Sequence, residues 1–306
     1  MPEVELVGVP FDGYGRPGNQ ALAVGALRRA GLAAALGSPA RDTLLELPEP
    51  VAERGPAGGL LNEPALVSAT DQLAARVAAA AAAGRFPVVH GGDCALLLGS
   101  VAGLRDAAGT AGLVVVDGHE DAVPLDVSED GEAANTEIGL LGLTGRLLTG
   151  PLARRRGVLD PAALAVLGPR DRDWRALSAV GSVRDAGVWL RDAGVWLRDA
   201  DEVTAAPRAA GREAAAHVAA TAPRWWLHVD LDVLDPVVFP AQGLPGVPDD
   251  PGGLRPAELT ELLLGALEVP GCAGWSVAVY DPEQDPGGSC AREVVRLAGQ
   301  VAAALP

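Results

Sequence analysis

Leu113-Val114-Val115-Val116 is an unbroken apolar run that ends on an acid, Asp117, and the same design recurs along the chain. Phe86–His90, Ala163–Gly168, Trp225–Asp230 and Trp275–Tyr280 are likewise short and largely apolar. A strand wetted on one face alternates apolar with polar residues, whereas one covered on both faces does not. These runs therefore predict a parallel sheet buried between helices. Val4–Val9, Thr43–Leu47 and a stretch near Val195–Leu197 complete the candidate strands. Between them lie Ala- and Leu-rich segments read as helices: Ala21–Ala35, Leu66–Ala83, Ala95–Ala107, Ala133–Leu143, Ala206–Thr221, Pro256–Leu267 and Ser289–Ala304. Pro256 suits a first helical turn, with Glu258 and Glu261 at the positive end of the dipole. Alternation of strand and helix from end to end predicts one α/β/α layered domain over residues 1–306.

Glycine and proline gather in loops that follow strands, at Phe11–Asn19, Gly91–Gly92, Pro236–Gly253 and Asp281–Gly288. In open α/β sheets ligands bind beyond the carboxyl ends of the strands, so chemistry is expected there. One segment stands apart. Arg184-Asp185-Ala186-Gly187-Val188-Trp189-Leu190 recurs unchanged as Arg191 to Leu197. Two copies are too few for a heptad coil or a solenoid, and the repeat reads as a short duplication in a surface connection. One copy is expected to supply a strand and the other to lengthen what precedes it.

Composition excludes several functions. All 24 basic residues are Arg, against 40 acids, for a net charge of −16. Such a chain repels phosphate backbones, so no nucleic-acid partner is expected. Without Lys there is no Schiff-base or phosphate-loop lysine. Three cysteines make no disulfide framework, which predicts a reducing, cytoplasmic setting. Met1-Pro2-Glu3-Val4-Glu5 lacks the features of a signal peptide, and the tract Val77 to Ala83 is too short to span a bilayer. No membrane partner is expected.

Three strand ends carry chemistry: Val88-Val89-His90-Gly91-Gly92-Asp93-Cys94, Val116-Asp117-Gly118-His119-Glu120-Asp121 and His228-Val229-Asp230-Leu231-Asp232-Val233-Leu234-Asp235-Pro236. In extended backbone, residues i, i+2 and i+4 project to one side. Asp117, His119 and Asp121 can therefore converge, as can Asp230 and Asp232. So many carboxylates repel one another unless cations neutralise them. Four Asp and one His suit a hard or borderline divalent ion such as Mn²⁺. They exceed what one ion needs and favour a pair sharing carboxylates. An Asp after a strand often only caps a turn, and Asp235-Pro236 is read that way.

These three segments resemble the arginase, agmatinase and formimidoylglutamase family, the ureohydrolases, whose patterns are Gly-Gly-Asp-His, Asp-Ala-His-x-Asp and Ser-x-Asp-x-Asp-x-x-Asp-Pro. The resemblance extends to Arg16-Pro17-Gly18, to Gly168-Pro169-Arg170-Asp171-Arg172-Asp173 and to Gln242-Gly243-Leu244-Pro245-Gly246. It implies a three-layer α/β/α fold with an eight-stranded, mostly parallel sheet. It also implies a binuclear manganese site whose bridging hydroxide attacks an amidino or guanidino carbon. Carried over by position, one ion takes Cys94, Asp117, Asp121 and Asp230, and the other takes Asp117, His119, Asp230 and Asp232. Asp121 and His119 are the catalytic candidates. Asp173 falls where a family member meets the amino end of its substrate. A homo-oligomer, a trimer or hexamer, is the family expectation.

The chain departs from the family in four places. Cys94 stands where the family has a metal-binding His. A thiolate favours Zn²⁺ or Fe²⁺ over Mn²⁺. Cys94 is read as a ligand, with a silent buried thiol and a substitution by His90 as the competing readings. Val279 occupies the position of a Glu that grips the guanidinium. The loop from Asp126 to Thr136 lacks the His that shuttles protons in arginases, leaving Glu132 and Glu137 as candidates to relay protons or meet a cationic substrate. His228 replaces a small family residue and is read either as an orienting partner of a ligand or as a packed core histidine. The leading expectation is a metal-dependent hydrolase of a small amidino or guanidino compound. The alternatives are a non-catalytic protein of the same fold that binds a small cation, and a single-metal amide hydrolase.

Overall fold

The structure is a computed structural model that describes residues 2–125, 127–128, 131–143, 150–155, 158–183, 195–243 and 251–305. Eight strands are present: β1 Val4–Gly8, β2 Arg41–Leu44, β3 Phe86–His90, β4 Gly112–Val116, β5 Leu164–Leu167, β6 Trp196–Arg198, β7 Trp225–Asp230 and β8 Cys272–Ala278. They form one sheet in the order β2-β1-β3-β8-β7-β4-β5-β6, and every pairing is parallel. The helices are α1 Ala23–Ala30, α2 Leu32–Ala35, α3 Glu63–Ala82, α4 Leu96–Ala108, α5 Arg172–Leu177, α6 Ala200–Ala205, α7 Pro207–Thr221, α8 Pro256–Leu267 and α9 Ser289–Ala304.

The continuous apolar runs are explained by helices on both faces. Leu6, Val88, Val116, Leu167, Val229 and Val277 point to one face and pack with α1, α7, α8 and α9. Val7, Val89, Val115, Val166 and Trp226 point to the other and pack with α3 and α4. Trp225 and Trp226, adjacent in β7, are fully buried on opposite faces. Because the strands are parallel, all their carboxyl ends lie along one edge. The segments after β3, β7 and β4 are close neighbours there, with only β8 between β3 and β7. Among the described residues no helix is long and apolar enough to cross a membrane.

The structure corrects several boundaries. The segment expected as a helix over Ala133–Leu143 is a turn followed by a wide helical turn over Gly139–Leu143. Val123 N–H donates to the Asn135 carbonyl at 3.0 Å and Ile138 N–H to the Asp121 carbonyl at 3.1 Å, so this chain folds back on the β4 end instead of coiling away from it. The helix expected over Ala21–Ala35 breaks at Gly31, with φ 101°. The last strand ends at Ala278 because Val279 turns to φ 62° and its N–H leaves the sheet for the Gly92 carbonyl at 3.0 Å. The second strand lies a little earlier than expected and is largely exposed, as an edge strand is. Trp196 and Leu197 of the second RDAGVWL copy enter β6; residues 184–194 lie outside the described residues.

Candidate metal centre and cleft

After β3 the chain turns on Gly91 and Gly92, with φ 88° and 74°. A Cβ on Gly92 would lie 2.9 and 3.0 Å from the carbonyl oxygens of Phe11 and Val9, so the turn needs glycine. Asp93 pins it by accepting the Gly13 N–H at 2.5 Å and the Ala95 N–H at 3.0 Å. This places Cys94, fully buried, with Sγ 2.7 Å from Asp230 Oδ2 and 3.1 Å from His228 Nε2. His90 does not lean toward the acids. It projects to the opposite side of β3, near Gly8 and Arg28, and burial holds its imidazole down to about 3.

At the end of β4, Asp117 Oδ1 accepts the His119 N–H at 2.7 Å. At the end of β7, Asp230 Oδ1 caps a single tight turn by accepting the Asp232 N–H at 2.7 Å. Asp232 ties the two strand ends together: its Oδ1 accepts the Gly118 N–H at 3.0 Å, and its Oδ2 meets His119 Nδ1 at 3.0 Å. Asp121 does not continue an extended segment; its φ is 40°. Cys94, Asp117, Asp121 and Glu137 offer ligand atoms all within 4.8 Å of one another. Asp117, His119 and Asp232 form a second such group. Asp117 belongs to both, and Asp230 touches a member of each. The six residues selected as ligands from the sequence thus meet in one place.

The buried acids at this place repel one another. Burial, then repulsion by neighbouring acids, raises Asp121 and Asp230 far above the carboxylate range, and Asp117 to about 8. Burial and the charges of Asp230 and Asp117 push up the Cys94 thiol in the same way. Burial would lower His119, but Asp232, Asp117 and Asp171 outweigh it and push the imidazole up to about 10. Asp232 alone is held low, because His119 and Arg170 outweigh its burial. Asp117 Oδ2 and both oxygens of Glu137 are buried with no hydrogen-bond partner. Unpaired buried carboxylate atoms are costly, and a divalent cation would satisfy them together. The donor set of carboxylates, one imidazole and one thiol fits such ions.

His228 is linked through the sheet. Trp226 Nε1–H donates to Ser276 Oγ at 2.8 Å, and Ser276 Oγ lies 2.7 Å from His228 Nδ1. Burial keeps His228 neutral, down to about 3. The neutral ring of His228 therefore bridges Ser276 and Cys94, one nitrogen donating and the other accepting.

A cleft of about 350 Å³ opens over this centre, lined by His119, Asp121, Asp230 and Asp232 at its base. Its walls carry Glu120, Glu132 and Asp171 against Arg175. Arg175 is already paired, 2.6 Å from Glu120 and 3.0 Å from Asp171. Glu120 also accepts the Ser182 hydroxyl at 2.9 Å and the Val183 N–H at 2.5 Å. Trp174, half exposed, and Tyr14 line the cleft too. Asp173 does not line it. Asp171, Trp174 and Arg175, spaced i, i+3 and i+4, share the inner side of the α5 turn, which puts Asp173 on the outer, exposed side. Glu132 lines the cleft, whereas Glu137 lies deeper, among the candidate ligands. The ion pairs of Glu120, Asp171 and Arg175 escaped the sequence reading, although Asp171 and Arg175 at i, i+4 were a visible signal.

The family model for the arginase family matches residues 2–304. This chain belongs to the arginase family. The arginase of Eremothecium gossypii is 39% identical over 117 residues, which cover 38% of this chain and 29% of that protein. The chain thus matches under half the length of that relative. Among solved structures, the arginase of Bacillus caldovelox superposes with a TM-score of 0.80 at 24% identity, covering 99% of this chain and 98% of that one. The formimidoylglutamase of Bacillus subtilis superposes with a TM-score of 0.73 at 18% identity, covering 99% and 87%. At these identities the likeness establishes the arginase fold. This arginase-family chain keeps the fold, with Cys94 at the base of the site and Val279 on the cleft lining.

Proposed function

We propose that this chain hydrolyses a C–N bond of a small cationic amidino or guanidino compound at a site for two divalent ions, Mn²⁺ foremost. The observation that carries the reading is the pair of donor groups joined by Asp117. Cys94, Asp117, Asp121 and Asp230 would hold one ion, and Asp117, His119, Asp230 and Asp232 the other. When bound, such a pair supplies Lewis acidity that makes water a nucleophile at neutral pH. The chain does the rest. Asp121, at both the donor cluster and the cleft, takes a proton from the attacking water and returns it to the departing nitrogen. Glu132 and Asp171 give the cleft a negative wall, and Trp174 offers an aromatic face for a cationic group. The paired groups also weigh against a single-metal amide hydrolase. The same reading includes a homo-oligomer in the cytoplasm, with Zn²⁺ or Fe²⁺ as the ions a thiolate ligand would favour instead.

The test is release of urea or ammonia by Mn²⁺-loaded protein from a panel of guanidino and formimidoyl compounds. Turnover of at least one cationic compound is expected, falling about 10³-fold in Asp121→Asn. A second reading, a non-hydrolytic binder of small cations, is favoured by Val279 lining the cleft where the family acid would stand. Loaded protein inert toward the whole panel would select it.

A further inference from the structure

We propose that Glu137 is a metal ligand of this chain, completing the site of Cys94, Asp117 and Asp121. The inference rests on the two-ion reading above and deepens it, since the family patterns quoted above contain no counterpart of Glu137. Its carboxylate lies within 4.8 Å of the ligand atoms of all three residues, and the side chain is fully buried. No N–H or hydroxyl donor is bonded to either of its oxygens or to Asp117 Oδ2 in the same group, and the side chain that both approach, Asp121, is itself an acid. Among the described residues no basic side chain pairs with Glu137 or Asp121, so the protein itself supplies no neutralising charge.

The backbone builds this arrangement. The Ile138 N–H to Asp121 carbonyl bond and the Val123 N–H to Asn135 carbonyl bond clip the loop shut on either side of Glu137. The two carboxylates are therefore brought together by the fold and not by a flexible side chain. The chemistry supplies a reason. Cys94 offers a soft donor at a position where the family offers imidazole, which weakens a site for a hard ion. An additional carboxylate oxygen restores hardness and negative charge at that ion. Glu137 is in this sense the counterpart of Cys94, a second change in the same coordination shell.

Equilibrium dialysis of full-length, metal-stripped protein against Mn²⁺, with ions per chain read by elemental analysis, tests this. Wild-type protein is expected to take up two ions. Glu137→Gln should weaken one site by at least about 100-fold and leave the other nearly unchanged, while Asp232→Asn should weaken the opposite site. Thermal melts separate ligation from a structural role. Losing a buried, repelled carboxylate should raise the melting temperature of metal-free Glu137→Gln and shrink the rise that Mn²⁺ produces. If Glu137→Gln binds two ions with wild-type affinity, or melts lower without metal and keeps the full Mn²⁺ shift, Glu137 is not a ligand. If wild-type protein takes up no ion at all, the two-ion reading itself fails, which is a different result.

Discussion

Two groups of acids in this molecule are handled in opposite ways. On the surface, Glu261 and Glu268 of the α8 end meet Arg208 and Arg212 of α7 at 2.7–3.3 Å, and each partner stays substantially exposed. At the strand ends Asp117, Asp121, Glu137 and Asp230 crowd together in the interior, where the nearest imidazole, His119, is committed to Asp232. The surface group is complete with its own cations and contributes little to stability, because water already solvates each charge. The buried group lacks such partners among the described residues, and the proposed ions would supply them. Charge balance read with burial separates a decorative cluster from a working one; counting acids does not.

The sharpest way to break this contrast is pH. Asp93 and Asp117 are pushed up to about 7 and about 8, against 3.8 for ordinary carboxyls. Between those values the metal-free native state retains protons that the unfolded chain has released, so stability falls as pH rises from about 4 to about 8. His119, pushed up to about 10 from 6.5, keeps its full contribution only to about pH 6.5 and gives it up progressively from there to about pH 10, which adds to the fall. The expected loss is roughly 2–5 kcal/mol. Urea melts at pH 5 and pH 8 should show it, and Mn²⁺ should stabilise more at pH 8 and erase most of the difference. Metal-free protein equally stable at both values would mean that the acids are compensated after all.

A smaller effect is expected at Cys94. Restoring the family residue by Cys94→His puts a second imidazole where His228 Nε2 already lies 3.1 Å from the sulfur. Overpacking should cost about 1–3 kcal/mol, and adding His228→Ser should recover most of it. Additive losses in the double variant would show that the two positions do not share space. The smallest effect belongs to the surface. Arg208→Ala should move the melting temperature by no more than about 3 °C, and less at high salt. A larger drop would put the surface network on the same footing as the interior.

Much of this was legible in the residues. Strand runs ending in acids gave the parallel sheet, and parallel strands deliver their ends to one edge, so Asp117, Asp121, Asp230 and Asp232 could be grouped before any coordinates. His228 was legible in part, since it shares a strand face with Asp230 by the two-residue period. The inward turn of Glu137 was not legible, because Ala133–Leu143 has a helical composition and only tertiary hydrogen bonds, Val123 N–H to the Asn135 carbonyl and Ile138 N–H to the Asp121 carbonyl, set it. The position of Asp173 off the cleft is a matter of helix phase: its neighbours Asp171 and Arg175 are drawn to Glu120, a partner 51 residues earlier than Asp171 that no local pattern announces.

The hydrogen-bonded row from Trp226 through Ser276 and His228 to Cys94 has one more consequence. An indole buried in the sheet stands three bonds of polar contact from the candidate coordination shell. Its emission depends on the field and hydrogen bonding around Nε1, so the molecule carries its own optical reporter. If ions bind as proposed, Mn²⁺ should shift the tryptophan emission of unlabelled protein, and Trp226→Phe should remove the part of that shift that the other five tryptophans do not supply.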